Sequence, residues 1–92
     1  MAIDIQIAQS GSLKAKRSVV KHVLEVARRR YGVSASEVGH HGTWQRAALG
    51  FSVVAPSAGQ AEEILDKVER FVWSNPEVTV LSSVRHWVEV DT

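Results

Sequence analysis

The sequence predicts an α+β domain with the order strand–helix–strand–strand–helix–strand. Segments in which apolar and polar residues alternate indicate strands, and two segments with apolar residues at helical spacing indicate amphipathic helices. The chain has 92 residues, of which 45% are hydrophobic, so we expect a single domain that spans residues 1–92.

The first strand and the first helix have the clearest patterns. In residues 3–7, three isoleucines alternate with Asp4 and Gln6, which is typical of a strand with one buried face. Residues 13–31 carry an apolar stripe of helical period. Gly32 follows directly and is suited to end this helix.

The middle of the chain predicts a hairpin. Residues 33–40 indicate a second strand, in which a bulge near Glu37 would restore the alternation. Residues 46–53 alternate regularly and indicate a third strand, paired with the second across a turn at residues 41–43.

The last third predicts a helix and a long strand. Ser57 and Gln60 have the spacing of a capping box, and Asn75 and Pro76 end the helix. Residues 78–90 indicate the final strand. The resulting βαββαβ order predicts a ferredoxin-like sandwich, in which two helices cover one face of a four-stranded antiparallel sheet.

Composition argues against several classes of function. The chain has no cysteine, which excludes disulfides and thiolate metal sites. His40 and His41 are adjacent, so on a strand they would point to opposite faces, and no converging set of metal ligands is evident. No nucleophile motif is present. We therefore expect no enzyme activity, no cofactor and no metal. Without a signal peptide or a membrane-spanning run, we expect a cytoplasmic protein.

The charges are strongly segregated along the chain. Residues 1–36 carry seven basic side chains against two acidic ones, whereas residues 37–92 carry four basic side chains against eight acidic ones. This asymmetry indicates a basic surface on the first helix.

The first helix is the candidate nucleic-acid-binding element. At 100° per residue, Lys14, Arg17, Lys21 and Arg28 fall within an arc of about 60° that could follow a phosphate backbone. The loop at residues 10–12 leads into the helix N-terminus, where free N–H groups favour an anion. The candidate phosphate-binding residues are Ser12, Lys14, Lys16, Arg17, Lys21 and Arg28. The alternatives are a solvated face matched by the acidic second helix, and a plain N-cap at Ser12.

Two tryptophans suggest a surface for self-association. Trp73 falls away from the apolar stripe of the second helix, and Trp87 alternates with Arg85 and Glu89 on the final strand, which places it on the open sheet face. The final strand is also longer than its expected neighbour, the first strand, so part of it lacks a partner. We therefore expect a homodimer that uses an edge strand, an exposed aromatic patch that includes Trp73 and Trp87, or both.

Two separated blocks of the sequence resemble one bacterial family. Residues 12–21 read SLKAKRSVVK, and the pattern continues with VS at 33–34, EVGH at 37–40 and WQRA at 44–47. These blocks resemble the YlxP-like family. The resemblance implies a ferredoxin-like fold, a bacterial cytosolic setting and no assigned activity. Genes of this family often lie near genes for translation initiation and ribosome maturation, so the resemblance points to RNA or the ribosome.

Three functions remain in competition. The leading hypothesis is a non-enzymatic module that binds RNA or a ribonucleoprotein through its first helix. The second is a homo-oligomeric structural or regulatory module that does not bind nucleic acid, and the third is a small enzyme with an active site between subunits. The sequence assigns no role to the hairpin residues Glu37, His40, Trp44 and Arg46.

Overall fold

The computed structural model describes residues 1–8 and 11–90, and it confirms the predicted α+β, ferredoxin-like fold. The elements are β1 (Ala2–Gln6), α1 (Leu13–Tyr31), β2 (Ser34–Gly39), β3 (Arg46–Ser52), α2 (Ala58–Ser74) and β4 (Thr79–Val84).

The four strands form one antiparallel sheet in the order β2-β3-β1-β4. β1 and β3 are therefore central and β2 and β4 are the edges, as the topology predicts. Both helices pack on one face, where the isoleucines of β1 and the buried residues of β3 meet them.

The core contains nearly all of the residues that the patterns place there. Ile3, Ile5 and Leu49 are completely buried, and Phe51 is only 3% exposed on the helix side of the sheet. Val53, at the end of the alternating segment 46–53, and Ile64 of α2 are only partly buried. Alternation and helical period were therefore sufficient to identify the buried face of almost every element.

The helix ends follow local rules. Ser12 caps α1, because its Oγ accepts a hydrogen bond from the N–H of Ala15 at 3.1 Å. Gly32 ends α1 in the left-handed conformation, with φ of 67°. Ser57 caps α2 by accepting from the N–H of Gln60 at 3.2 Å.

The β2–β3 hairpin contains the predicted bulge. The pairing register shifts between Glu37 and Gly39. Residues 40–43 form the turn, in which the N–H of Thr43 donates to the carbonyl of His40 at 3.1 Å. His40 adopts a φ of 60°, the one positive φ of a non-glycine residue in the described ranges. Bulge and turn together direct the carbonyls of the hairpin toward α1.

The final strand is shorter than predicted, and this corrects the sequence interpretation of residues 78–90. β4 ends at Val84, opposite Ala2, where its pairing with β1 ends. A register shift between Asp4 and Ile5 leaves Leu81 as an extra residue of β4. Such a bulge reverses the facing of every later side chain.

The reversed facing corrects the predicted position of Trp87. Arg85 reaches α2, where its guanidinium lies 2.8 Å from Asp66 Oδ1 and 2.6 Å from Glu69 Oε2. Trp87 lines a groove together with Ala61 and Leu65 of α2. It therefore lies on the helix side and not on the open sheet face.

No helix within residues 1–8 and 11–90 combines the length and the apolar character that crossing a membrane requires.

Candidate nucleic-acid interface on helix α1

Four basic side chains project from the solvent side of α1. Lys14, Arg17, Lys21 and Arg28 are all exposed, and their arc flanks the stripe of buried residues, which includes Val20, Val23, Leu24 and Ala27. We call these four residues the basic ridge. Its members follow from helical period alone, because they share one arc of α1.

The basic ridge runs alongside the edge strand β2. Near the end of α1, Arg28 Nε donates to the carbonyl of Ala35 at 3.1 Å. Near its start, Lys16 Nζ reaches the carbonyls of His40 and His41. The segment of α1 between these two anchors rises by about 18 Å, so α1 lies along β2 over that length and Arg28 brings one end of the ridge to the strand.

Acidic side chains neutralise little of the ridge. Lys21 Nζ lies 3.9 Å from Glu25 Oε1, and both side chains are largely exposed, so this pair contributes little. Among the residues that the structure describes, no ion pair joins α1 to α2. The alternative in which the acidic second helix matches the ridge therefore finds no support in the contacts.

The acidic residues of α2 are engaged on its other flank. Asp66 and Glu69 both bind Arg85, which follows β4. Burial acts to lower the pKa of Arg85, but the hydrogen bonds and charges of Glu69 and Asp66 outweigh it and raise that pKa above its ordinary value. These two carboxylates of α2 are thus engaged near the β4 edge of the sheet, whereas α1 lies along the opposite edge, β2.

Lys16 does not belong to this surface, which corrects its predicted role in phosphate binding. The residue is fully buried, and its Nζ lies 2.9 Å from Glu37 Oε2. The same Nζ donates to the carbonyl of His40 at 2.5 Å and to that of His41 at 3.4 Å. An ammonium surrounded by these acceptors is not available to a phosphate. Helical period could have indicated the buried position of Lys16, because at 100° per residue it falls inside the apolar stripe.

Ser12 has a structural role at the start of α1. Its Oγ accepts from the N–H of Ala15, and its carbonyl accepts from the N–H of Lys16 at 3.1 Å. The N-cap alternative is therefore present in the structure. Ser10, the first residue of the proposed anion-binding loop, lies outside the described residues.

The hairpin residues that sequence analysis grouped together separate onto two sides of the sheet. Glu37 faces the helices and binds Lys16. On the open face, Arg46 Nη2 binds Asp4 Oδ2 at 2.5 Å, and His40 Nε2 lies 3.9 Å from Asp4 Oδ1. Trp44 is 53% exposed. Asp4 is the member of the open-face cluster that sequence reasoning missed, because only the sheet register brings β1 opposite Arg46.

The structure does not bring Trp73 and Trp87 together. Trp87 lies beside Ala61 and Leu65 near the start of α2, whereas Trp73 lies near the end of that helix and is 61% exposed. The twelve residues from Ala61 to Trp73 correspond to about 18 Å of helix. A single small contact surface therefore cannot use both residues.

The described residues contain no group of three or more histidine, aspartate or glutamate side chains arranged to hold a metal ion.

Comparison with known proteins matches most of the chain to one family. The model of the family "Protein of unknown function (DUF503)" matches residues 1–85. The chain is also 38% identical over 81 residues to the uncharacterized protein YlxP of Bacillus subtilis (strain 168), and the match covers 88% of each chain.

Proposed function

We propose that this chain, which belongs to the DUF503 family of proteins of unknown function, is a non-enzymatic module that binds RNA or a ribonucleoprotein. The observation that carries the proposal is the exposed, weakly neutralised basic ridge of α1, formed by Lys14, Arg17, Lys21 and Arg28. We place this activity in the cytoplasm.

Electrostatics favours a phosphate backbone as the ligand of this surface. A row of cations that extends for about 20 Å spans several successive phosphates of a nucleic acid strand, and neutralising each phosphate releases counterions. A small anion would engage only one or two of these side chains. The ridge therefore fits a polyanion better than a small phosphate ligand.

Base stacking on the central strands does not contribute. The open-face residues Ala48, Gly50 and Ser52 of β3, like Asp4 and Gln6 of β1, are not aromatic, and Phe51 is buried toward the helices. Recognition would therefore depend on backbone charge and shape, which is how many proteins bind structured RNA.

The test is RNA affinity as a function of salt. We expect binding of a structured RNA with a slope of log affinity against log salt of roughly −3 for about four phosphates. The double variant Arg17→Glu, Lys21→Glu should lose affinity by at least about tenfold. Fluorescence anisotropy between 50 and 200 mM salt, about the range over which such contacts lose affinity steeply, measures both quantities.

A matched control distinguishes RNA binding at the ridge from a general effect of the net charge. Lys67 and Arg70 are exposed on α2, so Lys67→Glu, Arg70→Glu changes the net charge by the same amount without touching the ridge. We expect that control to retain most of its affinity. Equal losses for the two double variants, or no binding at low salt, would contradict the proposal.

A homo-oligomeric structural or regulatory module is the second candidate function. The observation that favours it is the number of large apolar side chains left exposed, among them Val38, Val84, Trp87 and Val88. Sedimentation equilibrium at micromolar concentration tests it, since the monomer has a mass of 10.1 kDa. A single species of that mass would exclude this candidate and leave RNA binding untouched.

A further inference from the structure

The two edges of the sheet are protected very differently. The carbonyls along β2 are occupied, since Arg28 binds that of Ala35 and a ring nitrogen of His41 lies 3.1 Å from that of Glu37. Lys16 binds those of His40 and His41. Within the described residues, no side chain is seen to bind the backbone of β4 or of residues 85–90. Sheet extension is thus blocked at β2 and open on the β4 side.

Residues 85–90 continue β4 beyond the end of β1. We call them the tail segment. Among the residues that the structure describes they have no strand partner, since the β1–β4 pairing stops at Ala2 and Val84. The segment has the composition of a strand, yet Trp87, Val88 and Val90 are 51%, 87% and 79% exposed. Unpaired backbone groups and exposed apolar side chains thus coincide in one short stretch.

An apolar groove lies beside the tail segment. Its volume is about 930 Å³, and its lining includes Met1 and Phe51 from the sheet, Ala61 and Leu65 from α2, and Trp87 from the tail segment. Val54, which is 96% exposed, also borders it. Contact with another chain at the tail segment would therefore also cover this groove.

We propose that the occupant is a second copy of this chain, whose tail segment pairs antiparallel with that of the first about a two-fold axis. The inference rests on the second candidate function and names its contact surface. A two-fold axis perpendicular to the sheet keeps each residue on the same face in both copies. Residues that lie opposite each other in an antiparallel pair also share a face, so the axis must pass midway between the two copies of one residue. Centring it on Trp87 makes that residue its own partner across the interface.

The pattern of the tail segment is self-complementary in this register. Glu89, the acidic residue of the segment, lies opposite Arg85 of the partner copy, and Val84 lies opposite Val90. The two Trp87 rings meet on the helix side, where each already borders its own groove. The remaining pair sets His86 opposite Val88. The register therefore brings Glu89 to an arginine that also binds Asp66 and Glu69, and it joins the ends of the segment through an apolar pair, which suits an isologous interface.

The first experiment measures the dimer dissociation constant by sedimentation equilibrium for the wild type and three variants. Val88→Glu introduces a charge at a side chain that is 87% exposed, so the fold should survive. We expect this variant and Trp87→Ser to raise the dissociation constant at least about tenfold. Trp73→Ser, an equally exposed tryptophan at the other end of α2, should leave it unchanged.

The outcomes distinguish oligomerisation itself from the interface proposed for it. A wild-type monomer overturns both oligomerisation and this interface. A wild-type dimer that Val88→Glu and Trp87→Ser leave intact overturns the interface alone and retains oligomerisation through another surface.

Cysteine cross-linking tests the register. The chain has no native cysteine, so single-cysteine variants report one position each. In the proposed register the two Trp87→Cys positions face each other at about 5 Å between Cα atoms, within disulfide reach. Oxidation with diamide should convert that variant to a covalent dimer, while Trp73→Cys stays monomeric. The oxidation is carried out at a concentration at which sedimentation shows Trp87→Cys to be dimeric, and absence of the cross-link under that condition would overturn the proposed pairing.

Discussion

Lys16→Met should destabilise the fold strongly, although it replaces a lysine of helix α1 by an apolar residue. The substitution leaves Glu37, whose side chain is 17% exposed, and the carbonyls of His40 and His41 without the ammonium that satisfies them. Removing one partner of a buried ion pair costs about 3–5 kcal/mol. Because water still reaches part of Glu37, we expect the lower end of that range, about 3 kcal/mol.

That loss is large for a domain of this size. At about 0.05–0.15 kcal/mol per residue, the free energy of unfolding of 92 residues is roughly 5–14 kcal/mol. Urea unfolding followed by tryptophan fluorescence measures the change. Lys14→Met removes an exposed lysine from the same turn of α1 and should change the stability by less than about 0.5 kcal/mol.

A double variant separates the ion pair from general packing. Lys16→Met combined with Glu37→Leu removes both charges, and apolar replacement of a buried pair is often nearly neutral. We therefore expect the double variant to recover much of the stability that Lys16→Met loses. A cost below about 1 kcal/mol for Lys16→Met, or no recovery in the double variant, would refute the role assigned to Lys16.

The remaining predictions concern the core and one backbone position. Leu49→Ala and Ile5→Ala should each lower the free energy of unfolding by about 2–5 kcal/mol, since both side chains are completely buried; a cost below about 0.5 kcal/mol in the same urea assay would contradict the strand facing. Gly32→Ala should cost about 1 kcal/mol, because a Cβ is disfavoured at φ of 67° although nothing lies within 4 Å of it. Gly59→Ala also meets nothing within 4 Å but lies in α2 without a positive φ, so we expect it not to be destabilising, and an equal loss at both glycines would argue against the backbone explanation.

Local patterns determined most of the fold. Alternation in β1 and β3, helical period in α1 and α2, and the capping residues Ser12 and Ser57 each depend on neighbours close in sequence. They therefore carry enough information to predict the element order, the central strands and nearly the whole core. The membership of the basic ridge follows from the same helical period.

The function of individual side chains was decided by contacts between distant segments. Helical period places Lys16 inside the apolar stripe, but its partners are Glu37 and the hairpin carbonyls 24 and 25 residues away, which only the tertiary structure brings to it. Asp4 joins Arg46 and His40 only through the β1–β3 register. Such roles depend on which surfaces the fold brings together. Helical period and alternation describe neighbours in sequence, so they cannot predict these partners.

The course of the final strand shows the same limit. Its residues alternate as far as Val90, but pairing with β1 stops at Val84, and a single extra residue at Leu81 reverses the facing of Arg85 and Trp87. By itself the sequence determined what each segment can form and which of its sides is apolar. Tertiary structure decided which side of the last segment meets α2, because a bulge arises from pairing with a neighbouring strand and leaves no periodic signal in the strand that carries it.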